Sequence, residues 1–165
     1  KPYILYTGSE RPRKNLGRLF EAFAKLKKEF PELKLVKVGV SGRSEKYRKN
    51  TIKKLASLGI TEDVIFIDHV SELELAYYYS SAQLLAYPSL YEGFGLPPLE
   101  AMTCGCPVVT SNTSSLPEVV GEAGIMVDPH DTDSLAQAMR QVLTIKKVKV
   151  GVQRKGLEQS KRFSW

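Results

Sequence analysis

The sequence holds only two cysteines, two histidines and one tryptophan, and it has no long uninterrupted apolar run. The cysteines, Cys104 and Cys106, sit two apart in CGCP. That spacing is too close for an easy disulfide, and the second ligand pair of a zinc site is missing. Both therefore read as small buried apolar residues, and no metal is expected. No stretch approaches the roughly 20 apolar residues of a membrane-spanning helix, and none has the pattern of a secretory leader. The expected location is the cytoplasm. The run GxxxxGK followed by Ser or Thr does not occur, which excludes a phosphate loop of that type. His69 has no serine or cysteine elbow beside it, which argues against nucleophile–histidine hydrolysis, and His130 in DPHD reads as a turn residue.

What is present is an ordinary globular balance, 42% apolar with 25% charged residues, in a chain of single-domain length. Lys and Arg number 24 against 18 Asp and Glu, for a net charge of +6. Such a surplus suits nucleic acid, acidic lipid or a diphosphate-bearing metabolite, and its sign alone does not choose among them.

Short apolar runs alternate with amphipathic stretches. YILYTG (3–8), LKLVKVG (33–39), VIFIDHV (64–70), QLLAYPS (83–89), CPVVTSN (106–112) and AGIMVDP (123–129) read as six strands. Between them, Leu16, Leu19, Phe20, Phe23 and Leu26 recur at helical spacing, and a charged helix over about 45–58 ends at Gly59. SELE at 71–74 has capping-box spacing for a third helix, and another starts near Pro97. LPEVVG forms a short helix, and 131–143 forms the last long one. The predicted fold is α/β, a six-stranded parallel sheet with helices on both faces, since parallel neighbours need crossover connections. Ligands in such sheets bind beyond the carboxyl ends of the strands. The tail from Ile145 is basic and reads as a solvated helix broken or frayed near Gly151 and Gly156.

Among the loops after the strands, YEGFGLPPLEAM (91–102) carries two carboxylates, Glu92 and Glu100, around Gly93 and Gly95. The glycines let a backbone bend or approach a ligand, and Pro97 and Pro98 suit a first helical turn, so the loop delivers a helix N-terminus that favours anions. A carboxylate accepts two hydrogen bonds and can hold a vicinal diol. An isolated pair could equally be a dipole-complementing Glu100 and a solvated Glu92. In GSERPRKN (8–15), Arg11, Arg13 and Lys14 lie where a diphosphate could sit, or they are ordinary surface cations. The hydroxyls of SNTSSLPE (111–118) serve either as helix N-caps or as phosphate contacts.

Taken in order, GSERPRKN, FIDHVSELELAYYYSSAQLLAYPSLYEGFGLPPLEAMTCGCPVV, SSLPEVVGEAGIMVDP and FSW resemble the nucleotide-sugar-binding, C-terminal half of the retaining GT-B glycosyltransferases of family 4. The resemblance covers nearly the whole chain and implies one Rossmann-like half of a GT-B fold. It implies that Glu100 binds the ribose hydroxyls and Glu92 contacts the donor sugar, positioning it without covalent chemistry. Lys14 would sit on the diphosphate and stabilise the leaving group, making Glu92 and Lys14 the catalytic pair. Gly93, Phe94, Gly95 and Leu96 would line the sugar and diphosphate, and Gly8, Ser9 and Arg13 would complete the phosphate side. His69 and Val70, at the end of the third strand, would border the base.

Two positions depart from the family. Many relatives carry arginine where Ser9 stands, with Arg13 the compensating residue, and paired glycines where Ser114, Ser115 and Leu116 stand. The resemblance implies a donor-binding domain over 1–144, a basic helical tail of that domain over 145–165, and an acceptor domain absent from the N-terminal side, so that this piece alone is inactive. The implied activity is hexosyl transfer to a glycan or lipid-linked acceptor. Mannose from GDP-mannose is favoured by the EPRKN-like loop, with UDP-hexose donors open and no cofactor. Peripheral contact with the cytoplasmic membrane face is a further expectation for the tail. The alternatives are half of a nucleotide-sugar epimerase and a non-catalytic nucleotide-sugar-binding module. A nucleic-acid partner, suggested by the net charge and the basic tail, is not expected.

Overall fold

A computed structural model describes residues 1–163; Ser164 and Trp165, the end of the FSW stretch, lie outside the described residues. The six predicted strands form one parallel sheet: β1 (Tyr3–Thr7), β2 (Lys34–Val38), β3 (Val64–Ile67), β4 (Leu84–Tyr87), β5 (Val108–Ser111) and β6 (Ile125–Val127). Their spatial order is β3-β2-β1-β4-β5-β6, with Leu5 registered against Val36 on one side and Leu85 on the other. The chain walks outward from β1 to β3 and then crosses back to β4. Strand order thus reverses between β1 and β4, the place where open parallel sheets bind ligands.

Helices cover both faces, so the central strands are mostly apolar: Ile4, Leu5, Leu35, Leu84, Leu85, Val108 and Val109 are all buried. The amphipathic α1 (Leu16–Lys27) buries the predicted stripe of Leu16, Leu19, Phe20, Phe23 and Leu26. α2 (Glu45–Leu58) starts on the Ser44 side chain and stops at Gly59 in the left-handed region. α3 (Glu72–Ser81) opens with the expected capping box, reciprocal between Ser71 and Glu74. α4 (Leu96–Thr103) and α5 (Leu116–Val120) complete the crossovers, and α6 (Thr132–Thr144), after the last strand, is capped by Asp131. Both cysteines are free, and burial pushes the Cys106 thiol up to about 12, consistent with an inert packing residue.

The tail departs from expectation. α7 (Lys146–Ser160) runs unbroken through Gly151 and Gly156 and packs on α4 and α6. Gln153 donates to the Gly105 carbonyl at 3.0 Å, Gln159 to that of Val119 at 3.0 Å, and Lys149 to Gln83 at 2.7 Å. Tertiary packing overrides the poor helix propensity of glycine here. Gly156 is where α7 meets α4, and a Cβ added there would lie 3.2 Å from Met102 Cγ and 3.6 Å from its Cα. Gly156→Leu should therefore lower stability by about 1 to 2 kcal/mol, because overpacking against the α4 backbone exceeds the gain in helix propensity. Urea unfolding checks this, and a variant as stable as the parent would show that α7 shifts freely on α4.

Candidate functional site

The site is assembled at the β1/β4 switch point from two loops. After β1, a short 3-10 turn at Pro12–Lys14 is followed by Asn15 in the left-handed region. The Asn15 amide donates to the Pro88 carbonyl at 2.9 Å and to that of Pro129 at 2.7 Å, so one buried side chain ties together the loops after β1, β4 and β6. The Leu90 N–H adds a bond to the Arg13 carbonyl at 2.8 Å. This stapling turns Arg13 and Lys14 toward the loop after β4.

Glu92 is the centre of what they meet. Its Oε1 accepts from Lys14 Nζ at 2.6 Å and from the Tyr87 hydroxyl at 2.9 Å, while its Oε2 lies 3.2 Å from an Arg13 guanidinium nitrogen. Lys14 also donates to the Tyr87 oxygen at 2.7 Å and lies over that ring. Both Lys14 and Glu92 are buried, which charged residues tolerate only when paired. Burial alone would raise the Glu92 carboxyl, but hydrogen bonding and the charge of Lys14 outweigh it and hold the group below the ordinary glutamate range. The Glu92 backbone is clamped as well: its N–H donates to Ser114 Oγ at 3.0 Å and its carbonyl accepts from Ser115 Oγ at 3.1 Å. Ser114 and Ser115 thus grip Glu92, and Ser115, at the start of α5, makes no side-chain cap.

Gly95 (φ +104) turns the chain into α4, and a Cβ there would come within 3.0 Å of Leu116. Because positions 97 and 98 are proline, the first turn of α4 offers few N–H donors beyond that of Leu96. Glu100, one turn in, is exposed and accepts from the Tyr79 hydroxyl at 2.8 Å. It lines, with Glu72, Leu75, Tyr79 and Leu96, a cavity of about 430 Å³ between α3 and α4. Phe94 stacks edge-on against Phe163 at 6.0 Å, joining the loop to the end of the chain beyond α7.

The structure thus joins Arg13, Lys14 and Glu92 directly and sets Gly8, Ser9, Gly93, Phe94, Gly95 and Leu96 in the two loops around them. Ser9 itself is held through its carbonyl, which accepts from Tyr6 at 2.8 Å. His69 and Val70 stand apart, beyond the end of β3 and two strand spacings, roughly 10 Å, from β1. Sequence reasoning overlooked Tyr87, Tyr79 and Asn15. A tyrosine closing a strand, or an asparagine after RK, carries no signal until the loops are folded over it.

Chemically, two cations face one carboxylate, which leaves a surplus of positive charge at a strand-end crevice and suits an anion. A carboxylate neutralised by two cations is a poor ligand for a divalent metal. Beside this cluster, Glu100 presents a second carboxylate to the adjoining cavity. Phosphate at one end and hydroxyls at the other are the complements of this arrangement.

Similar proteins share this architecture. The chain is 41% identical over 168 residues to the O-antigen chain mannosyltransferase B of Escherichia coli, covering 99% of the chain and 42% of that protein. The sucrose-phosphate synthase structure from Thermosynechococcus elongatus matches with a TM-score of 0.87 at 29% identity, over 98% of the chain and 41% of the other. Anabaena Alr3699/HepE in complex with UDP-glucose matches with a TM-score of 0.87 at 21% identity, over 97% and 44%, a likeness of fold. The chain therefore spans about two fifths of the length of each of these proteins. Residues 1–159 match the family model described as glycosyl transferases group 1, and over that span, nearly the full sequence, the chain belongs to this family.

Proposed function

We propose that this chain is the donor-binding half of a retaining hexosyltransferase, which takes mannose from GDP-mannose and passes it to a glycan or lipid-linked acceptor held by an N-terminal domain. The observation that carries this reading is the Lys14–Glu92–Arg13 cluster at the switch point, with Glu100 facing the adjoining cavity. Similarity to a mannosyltransferase supports the sugar. That a neighbour of the same fold is in complex with UDP-glucose supports a nucleotide-sugar donor.

In this reading Lys14 and Arg13 receive the diphosphate and Glu92 takes a sugar hydroxyl. The bond between the anomeric carbon and the diphosphate oxygen breaks, and the acceptor oxygen bonds to that carbon on the same face. The acceptor proton passes to the departing phosphate. Positive charge fixed before the reaction stabilises the leaving diphosphate without reorganisation, and no metal enters the step. Alone, the domain binds donor without transferring it, since the acceptor is held elsewhere.

Calorimetric titration with GDP-mannose, UDP-glucose, UDP-N-acetylglucosamine and ADP-glucose tests the reading. GDP-mannose should bind saturably, and Glu100→Ala should weaken it by about tenfold, the loss expected for hydrogen bonds to a charged acceptor. Tight binding of a UDP sugar instead would replace the proposed donor, and an unchanged affinity in Glu100→Ala would remove that residue from the site.

A further inference from the structure

We propose that Tyr79 is a positioning residue for the donor's ribose, acting through Glu100: its buried phenol occupies Glu100 Oε2 and leaves Oε1 to the ribose hydroxyls. The proposal rests on the reading of Glu100 as the ribose-binding carboxylate.

Glu100 needs such a partner because of where it sits. It is an exposed residue on the first turns of a short helix, and a glutamate there samples several rotamers in water. Tyr79 comes from the last turn of α3, is 1% exposed, and its ring is therefore fixed by the core. Its hydroxyl lies 2.8 Å from Glu100 Oε2 and 3.0 Å from Thr7 Oγ1, at the end of β1.

Proton accounting gives the chain of bonds a direction. An ionised carboxylate only accepts, so the single phenol proton goes to Glu100 and Thr7 must donate to the phenol oxygen. Burial pushes the Tyr79 phenol well above its ordinary value, so it remains a donor throughout the neutral range. Among the described residues Oε1 of Glu100 has no hydrogen-bond partner, while its carboxylate lines the α3–α4 cavity. The sequence Thr7, Tyr79, Glu100 thus relays the rigidity of the sheet to a carboxylate that would otherwise be mobile. A group held in its productive orientation before binding loses less freedom when the ligand arrives.

The test uses the chain as it is, titrated with GDP and UDP and with their 2′,3′-dideoxy counterparts. The parent, Tyr79→Phe, Glu100→Ala and the double variant are compared, with thermal melts to confirm folding. Tyr79→Phe keeps the ring and its packing. It should weaken the bound ribonucleotide by roughly fivefold, leave the dideoxy analogue unchanged, and add nothing in the Glu100→Ala background. Thr7→Val, which removes the donor behind the phenol while keeping the shape, should shift the ribonucleotide in the same direction by a smaller factor.

Equal weakening of ribo- and dideoxynucleotide by Tyr79→Phe, or a full additional loss on top of Glu100→Ala, would overturn the tyrosine's role. A parent that binds ribo- and dideoxynucleotides equally well, or binds neither, would instead overturn the ribose reading on which it rests. The parent's own ratio and the variant's change in that ratio separate the two failures.

Discussion

Glu92→Ala will destabilise the domain by about 3 to 5 kcal/mol at pH 7, because it leaves the Lys14 ammonium buried without its counter-ion. The side chains of Lys14 and Glu92 are only 10% and 9% exposed, so water cannot replace the lost partner without the loops opening. Tyr87 remains as an acceptor, but a neutral phenol does not compensate a charge, and the neighbouring Arg13 guanidinium adds repulsion. The loss will show first in the loops after β1 and β4, which share this cluster, and amide exchange at Leu90 and Glu92 should report it.

The pH dependence of the same comparison follows from the sign of the shift. The folded-state pKa of Glu92 lies below its ordinary value of 4.5, so its contribution is fully present above 4.5 and is lost as pH falls through the lower folded value. The stability difference between the parent and Glu92→Gln, measured by urea unfolding, should hold from pH 7 to about 5.5 and shrink in stronger acid. A difference that does not change with pH would mean that the carboxylate's charge is not what holds the loops.

In the proposed donor reading the same cluster is shared with the ligand. Glu92 and Tyr87 take two of the three donors of the Lys14 ammonium, so under the proposed donor reading a diphosphate would meet the third and compete with Glu92 for the rest. The Glu92 carboxylate offsets the Lys14 charge, which keeps a buried lysine tolerable in the domain by itself.

How much of this was legible in the sequence depends on the range of the interaction. The six strands, the capping box at Ser71 and Glu74, and the stop at Gly59 are local patterns, and all formed where period and capping chemistry put them. α7 did not fray, because the fit of Gly156 against Met102 is a contact between residues 54 positions apart and has no local signature. At the site, the residue types of Lys14, Glu92 and Glu100 were readable from motif and charge, but the supports were not. Ser114 and Ser115 read as helix caps or phosphate contacts; Ser115 makes no cap, and both clamp the Glu92 backbone. Tyr79 and Tyr87 are buried aromatics that the sequence did not single out, and only the fold shows their hydroxyls reaching the two glutamates. A buried tyrosine has a ring that obeys the hydrophobic pattern and a tip that does not.

The least legible feature is also the one whose removal should damage the loop after β1 most. Lys37, in the middle of a sheet, looks like an outward-facing strand residue, yet its side chain and that of Glu10 are both 0% exposed, with the ion pair at 3.2 Å. Lys37 also donates to the carbonyls of Gly39 and Val40, and Arg48 reaches Glu10 at 2.7 Å and Asp68 at 2.8 Å. Glu10 Oε2 has no partner among the described residues, so the carboxylate is held entirely through its other oxygen. Glu10→Ala should lower stability by about 3 to 5 kcal/mol, since Lys37 is then a fully enclosed charge facing only carbonyls. Replacing both partners, Glu10→Leu with Lys37→Met, should recover most of that loss, because Arg48 keeps Asp68 and no buried charge remains. Stability rises with pH here as it does at Glu92, but at Lys37 the charged form is the destabilising one. Burial depresses the Lys37 ammonium below its ordinary value of 10.5 against the pull of Glu10. A base with a depressed folded-state pKa destabilises the fold while charged, and stability rises as pH climbs through that value toward 10.5. Removing Glu10 deepens the depression, so the deficit of Glu10→Ala should narrow between pH 7 and about 9.5 in urea unfolding. A deficit that stays constant over that range, or a double variant as weak as the single one, would show that the loop depends on the shape of Glu10 and not on its charge.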